Sequence, residues 1–227
     1  MAPDWCAFIF KATERGSDNE SPCSSYEDIG IFSLLLTVLR PILGFFVRFR
    51  LLTRWELEHP GFGLQLAVIL VLMTALYLIA KIRHRRPVLH ALGWVWPHTK
   101  WVMLAPILGV LLAGLAICLH GQAQNTRTIP LVEAMILGVV LGPILEESFF
   151  RGCLLPVLAG SLTNSLAVIL TALVFALFHN PSNLSHWVSF SGSGVAYGWI
   201  RMASRSTTAA TLTHAVYNLV LLLFAGS

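Results

Sequence analysis

Long apolar runs, separated by short polar or basic stretches, make up the chain from residue 62 onward. Each run is close to the roughly 20 residues that an α-helix needs to cross a bilayer. Because lipid cannot satisfy backbone polar groups, such runs fold as helices that bond within themselves. The pattern predicts six spans, at residues 62–80, 101–119, 131–158, 163–178, 187–203 and 207–224.

The first part of the chain has a different pattern. Residues 1–30 are mixed and polar, whereas residues 31–47 are apolar but are interrupted by Arg40 and Pro41 and are followed by further arginines. Both a spanning helix and an amphipathic helix lying in the membrane interface fit this pattern. The predicted organisation is therefore an N-terminal head with one possible helix at 1–61, and a transmembrane helical domain at 62–227.

Composition supports a membrane protein. Of the 227 residues, 56% are hydrophobic and only 11% are charged, whereas soluble domains carry about 25% charged residues. The net charge of +4 comes from basic residues in short loops, which set orientation rather than bind nucleic acid. The fold class predicted is all-α, a polytopic membrane helix bundle in contact with membrane lipids and without a nucleic-acid partner. The basic stretch at 81–87 predicts a cytoplasmic position for that loop and for the turns near 162 and 205.

Three ionisable residues lie within six positions of the third apolar run: Glu146, Glu147 and Arg151. An ionised group in hydrocarbon is costly unless it is paired or faces water. Glu147 and Arg151 are four residues apart in the order that favours an ion pair on a helix. Glu146 points about 100° away and has no local partner. It could act as a general base if water reaches it, or as the proton site of a transporter.

Helix geometry brings other polar residues to the same depth. If the third and fourth spans turn at about residue 162, Glu146 and His179 lie at nearly equal distances from that turn, roughly 24 Å. In the last span His214 and Asn218 share one helical face, level with residues near 196 and 192 of the preceding helix. Imidazole and amide groups placed around a carboxylate can hold a water or donate to an oxyanion.

The residues alone leave other interpretations open. Glu147 and Arg151 can be a purely structural ion pair, His179 a helix cap, and His214 and Asn218 hydrogen-bonding links between helices. A non-catalytic immunity or scaffold protein would fit those roles. A proton-coupled transporter is less well supported, because the sequence lacks two corresponding halves with broken helices.

Three motifs taken in order carry a family resemblance. They are Glu-Glu-x-x-x-Arg at 146–151, Phe-x-x-x-His at 175–179 and His-x-x-x-Asn at 214–218. Together they resemble the CPBP family of CAAX-protease and bacteriocin-processing intramembrane endopeptidases, also called Abi, over residues 131–224. The resemblance implies a water-filled catalytic cavity. It implies roles for six residues: Glu146 activates the attacking water, His179 holds it, His214 and Asn218 form the oxyanion site, and Glu147 and Arg151 support the arrangement.

The function implied is an intramembrane endopeptidase that hydrolyses a peptide bond of a membrane-associated or C-terminally anchored protein. The substrate is a protein or peptide at the membrane, with or without a lipid or a C-terminal sorting helix. The expected location is the bacterial inner membrane, as a multi-pass protein. No cofactor is expected. A zinc enzyme using Glu146, His179 and His214 is the alternative, although the sequence has no His-Glu-x-x-His pair. Residues 182–186 are a candidate rim of the cavity.

Overall fold

The computed structural model describes residues 62–78, 81, 87–120 and 130–224, and within these ranges the secondary structure is helical, with no strand. The predicted head at 1–61, including its possible helix, lies outside the described residues. Six of the helices are uninterrupted: α1 Phe62–Leu78, α2 Val88–Ala91, α3 Thr99–His120, α5 Asn164–Phe178, α6 Leu184–Ser204 and α7 Thr207–Phe224.

The fourth helical run, α4 at residues 131–161, carries Glu146 and Glu147. It is called here the motif helix. Its hydrogen-bonding pattern alternates along the chain: α-helix at Leu131–Ala134, π-helix at Met135–Leu141, α-helix at Gly142–Phe149, π-helix at Phe150–Leu154 and α-helix at Leu155–Ser161. Pro143 and Pro156 each lie just after a π-helical segment. A proline ring clashes with the preceding turn of an α-helix, and the wider π turn relieves that clash. The motif helix therefore continues through both prolines.

The predicted apolar runs from residue 62 onward coincide with helices. Among the residues that the structure describes, two helices are long and apolar enough to cross a membrane, Thr99–Leu119 within α3 and Thr207–Phe224, which is α7. The helices Gly63–Leu78 and Asn164–Phe178 are apolar but shorter. The helical class is thus confirmed for the described residues, whereas the count of six spans stays a prediction.

The start of α6 lies earlier than the apolar pattern indicates. The pattern predicted a loop at residues 182–186, but α6 begins at Leu184. Its N-cap is Asn183, whose side-chain Oδ1 accepts a hydrogen bond from the backbone N–H of His186 at 2.9 Å. An Asn cap satisfies a donor that the first helical turn would otherwise leave free. The helix therefore begins within the polar stretch at residues 182–186.

Close helix contacts position the site. α7 packs along α3 and against the motif helix, and α5 packs along α6. A Cβ at Gly109 of α3 would lie 2.5 Å from the Thr213 carbonyl oxygen of α7, and one at Gly194 of α6 would lie 3.0 Å from Ala172 Cα of α5. Glycine is needed at both places because the backbones approach too closely for a side chain, as is common between membrane helices. The core between these helices is where the motif residues meet.

Candidate active site

Glu147 lies at the centre of the site and is fully buried. Its Oε1 accepts a hydrogen bond from Arg151 Nη1 at 3.0 Å and another from His214 Nδ1 at 2.9 Å. The ion pair expected from the spacing of Glu147 and Arg151 is therefore present. The contact with His214 was not expected, because the spacing of the motifs grouped His214 with Asn218 alone.

Arg151 is also fully buried, and three helices hold its charge. Besides Glu147, its guanidinium contacts the carbonyl of Gly194, to which Nη2 donates at 2.8 Å. The guanidinium carbon lies 4.7 Å from the ring centroid of Phe175 and 5.3 Å from that of Tyr197. Rings at this distance attract a cation through their negative faces. The cation is thus held by a carboxylate, a carbonyl and aromatic rings.

Glu146 has the opposite environment to its neighbour. Its side chain is 32% exposed, against 0% for Glu147. The buried Oε2 of Glu146 accepts no hydrogen bond within the described part of the chain and lies 3.7 Å from His179 Nε2. The expected juxtaposition of Glu146 and His179 is therefore found. Of the two adjacent glutamates, Glu146 is the one that solvent can reach.

The hydrogen bond of His179 defines its tautomer. Its Nδ1 lies 2.8 Å from the Phe175 carbonyl oxygen, and since a carbonyl only accepts, Nδ1 carries the hydrogen. In the neutral ring Nε2 then presents a lone pair toward Glu146 Oε2. The ring is fixed between Phe175 and Phe190, at centroid distances of 4.3 Å and 4.7 Å. Two hydrogen-bond acceptors consequently face each other across a short gap.

The two polar residues of α7 lie on different neighbours. The ring of His214 stacks on Tyr197 with centroids 4.7 Å apart and planes at 19°, one residue from the predicted level near 196. Asn218 Nδ2 donates to the Gly138 carbonyl in the first π-helical segment, at 2.7 Å. Asn218 thus bonds the motif helix, whereas the depth estimate had pointed to α6 near residue 192.

The three residues named for the zinc alternative have different partners in this structure. That alternative needs Glu146, His179 and His214 around one ion, but His214 bonds the other glutamate. Across residues 62–78, 87–120 and 130–224, no three His, Cys, Asp or Glu side chains are grouped so that they could hold a metal ion.

Several residues of the site were not predicted from the sequence. They are two backbone carbonyls, at Gly138 and Gly194, and two rings, Phe190 and Tyr197. A carbonyl has no side-chain signature, and an aromatic residue in an apolar helix looks like any other core residue. Only Tyr197 could have been found, because it lies beside the level predicted for a partner of His214.

A comparison with protein families matches the part of the chain that holds the site. The family model described as Type II CAAX prenyl endopeptidase Rce1-like matches residues 127–220. Residues 127–220 are thus similar to this family. No curated protein and no solved structure matches the chain. The family resemblance predicted from the three motifs is confirmed for the matched residues.

The matched residues include Glu146, Glu147, Arg151, His179, His214 and Asn218. The Rce1-like family consists of membrane-embedded endopeptidases that act on protein or peptide substrates at membranes. The apolar helices of the matched part agree with a membrane location. The first 126 residues lie outside the match.

Proposed function

We propose that this chain is an intramembrane endopeptidase that hydrolyses a peptide bond of a membrane-associated or C-terminally anchored protein, with water activated by Glu146. The observation that supports this most is the pair of acceptors formed by Glu146 Oε2 and His179 Nε2, 3.7 Å apart. Oε2 is buried in this structure, so for the reaction a water molecule has to enter between the two atoms, where with a neutral His179 ring it donates one hydrogen bond to each. Its oxygen lone pairs then point away from both groups, toward a substrate carbonyl.

The reaction balances with the groups in place. The water oxygen bonds to the carbonyl carbon of the substrate while its proton passes to Glu146. The tetrahedral intermediate then collapses, the carbon–nitrogen bond breaks, and Glu146 returns the proton to the leaving nitrogen. A positioned general base of this kind contributes typically about 10²–10⁴-fold to the rate of such reactions.

Stabilisation of the oxyanion is assigned to His214 and Asn218 of α7. His214 Nδ1 donates to Glu147 Oε1, so Nε2 is a donor to the oxyanion when the ring carries both protons. One N–H of the Asn218 amide bonds the Gly138 carbonyl, which leaves its second N–H for the oxyanion. Donors already held in place stabilise developing charge without reorganising during the reaction.

The location, the cofactor and the substrate class proposed here rest on the family resemblance and on the sequence. The enzyme works as a multi-pass protein of a bacterial inner membrane and needs no cofactor. The substrate class has two candidates, a peptide with a lipidated C-terminus and a protein with a C-terminal sorting helix. Both place the scissile bond near the bilayer.

The test is cleavage by the purified chain in proteoliposomes. Reporters of both substrate classes are assayed with wild type, Glu146→Gln and the matched control Glu133→Gln, which changes another glutamate of the motif helix. We expect Glu146→Gln to lower kcat by about 10²–10⁴-fold with an unchanged melting temperature, and Glu133→Gln to leave kcat within about twofold of wild type. Activity retained in Glu146→Gln would refute the proposed base.

Two further arms separate the alternatives. His179→Phe preserves the ring between Phe175 and Phe190 but removes both nitrogens, so kcat should fall while the protein still folds. A chelator should have no effect on the wild type. Loss of activity with the chelator, restored by added zinc, would replace the glutamate mechanism with a metal-dependent one.

A further inference from the structure

The first π-helical segment leaves one carbonyl without its backbone partner. The N–H of Gly142 donates to the Leu137 carbonyl, five residues earlier. The next donor in that register would be residue 143, which is a proline and has no N–H. The carbonyl of Gly138 is therefore the one that loses its helical hydrogen bond.

The second π-helical segment repeats this arrangement. The N–H of Leu155 donates to the Phe150 carbonyl, again five residues earlier. The next residue along the chain is Pro156, which also lacks an N–H. Here the carbonyl of Arg151 loses its helical partner. Two carbonyls of one helix are thus freed by the same combination of a π turn and a proline.

Side chains of two other helices donate to these carbonyls. Asn218 Nδ2 on α7 lies 2.7 Å from the Gly138 oxygen. Arg201 Nε on α6 lies 3.3 Å from the Arg151 oxygen. Arg151 is buried and Gly138 lies on the exposed side of the motif helix. Neither the protein interior nor lipid supplies a water donor, so another part of the protein has to donate to these carbonyls. Each freed carbonyl thus receives a donor from a different neighbouring helix.

The first π turn also adjoins the carboxylate of Glu146. A Cβ at Gly142 would lie 2.9 Å from the Leu137 oxygen and 4.0 Å from Glu146 Oε1, so this residue of the turn adjoins the carboxylate. A change in this turn would therefore displace the base. The two freed carbonyls, at 138 and 151, lie on either side of Glu146 and Glu147.

We propose that Asn218 and Arg201 are positioning residues, which replace the backbone donors lost at Pro143 and Pro156 and so fix the part of the motif helix that carries both glutamates. For Asn218 this role is additional to the oxyanion. Its consequence for cleavage rests on the proposed function, but its consequence for stability does not.

Matched double substitutions test this inference. Pro143→Ala restores an N–H beside the Gly138 carbonyl, so Asn218→Leu should be less damaging in that background than in wild type. We expect Asn218→Leu alone to lower kcat by about tenfold or more, with a smaller change in KM, and to lower the melting temperature. In the double variant most of the loss in melting temperature and part of the loss in kcat should be recovered.

Crossed pairs provide the control. Arg201→Met should couple with Pro156→Ala in the same way, whereas Asn218→Leu with Pro156→Ala, and Arg201→Met with Pro143→Ala, should be additive. Additive matched pairs would overturn the inference, as would equal coupling in the crossed pairs. If Asn218 serves the oxyanion alone, Pro143→Ala restores neither the melting temperature nor the kcat that Asn218→Leu has lowered.

The two readouts distinguish failure of this inference from failure of the proposed function. Coupling in melting temperature is measured without any substrate, so it stands even if Glu146→Gln proves harmless. Conversely, an essential Glu146 with additive matched pairs would leave the protease assignment intact and reject the positioning role. If Pro143→Ala does not fold, the Arg201 and Pro156 cycle decides the question.

Discussion

Replacing Arg151 tests how the buried charges of the site are held. In Arg151→Met, Glu147 keeps only its contact with His214, and the carbonyl of Gly194 loses its donor. Breaking a buried ion pair by removing one partner costs about 3–5 kcal/mol, because the other charge remains without compensation. The contact of the guanidinium with the Phe175 ring is also lost. We therefore expect Arg151→Met to lose about 3–5 kcal/mol of unfolding free energy.

The double variant Glu147→Gln, Arg151→Met removes both charges together. The glutamine side chain would still offer an oxygen to His214, so no buried charge is left unpaired. Replacing both members of a buried pair is often close to neutral. We expect the double variant to recover at least about 2 kcal/mol relative to Arg151→Met alone. Its activity should stay low, because His214 would lose the carboxylate that it bonds through Nδ1.

The assay is reversible unfolding in detergent micelles, followed by tryptophan fluorescence. The matched control is Lys100→Met, since Lys100 is exposed and its charge lies over the Trp101 ring; its effect should stay within about 0.5 kcal/mol. The reasoning fails if Arg151→Met costs less than about 1 kcal/mol. It also fails if the double variant is as unstable as the sum of the single ones.

Two further predictions concern the helix contacts around this pair. Gly194→Ala places a Cβ 3.0 Å from Ala172 Cα. It should destabilise the protein by about 1–3 kcal/mol and lower activity, because it displaces the carbonyl that holds Arg151. Gly192→Ala, with nothing within 4 Å of its Cβ, is the control, and equal melting temperatures for the two variants would contradict the close packing. Tyr197→Leu should lose about 0.5–1.5 kcal/mol of unfolding free energy, because the stack on His214 is lost. Tyr197→Phe keeps the ring and should match wild type in thermal unfolding. A large drop in the melting temperature of Tyr197→Phe would show that the hydroxyl has a partner.

The sequence was informative about which residues meet and at what depth. Glu147 and Arg151 pair as their spacing predicted, and Glu146 reaches His179 as counting from the turn predicted. Both arguments need only the rise and the period of an α-helix. Helix positions from residue 62 onward were predictable for a similar reason, since long apolar runs in a membrane protein have few alternatives to helix.

The contacts of His214 and Asn218 were not predictable in the same way. His214 could have faced either glutamate, because both lie at nearly the same depth on the motif helix. Which one it meets depends on the rotation of that helix about its axis. Asn218 bonds a backbone carbonyl, and nothing in the residue type of Gly138 distinguishes it from other glycines. The head at 1–61 and its possible helix remain predictions, as do the domain boundary and the cytoplasmic position of the turns.

The π turns explain why depth was predictable and orientation was not. Each π turn amounts to one extra residue in the helix, which changes the height of the downstream residues by only about 1.5 Å but rotates them by about 100°. The segment Phe150–Leu154 lies between Glu146 and the turn near 162, so the height estimate for Glu146 and His179 survived the extra residue. The rotation is enough to exchange which of two adjacent side chains faces the solvent and which faces the core. Glu146 is exposed and Glu147 is buried. This difference in exposure depends on the two proline-linked turns as much as on the glutamates themselves.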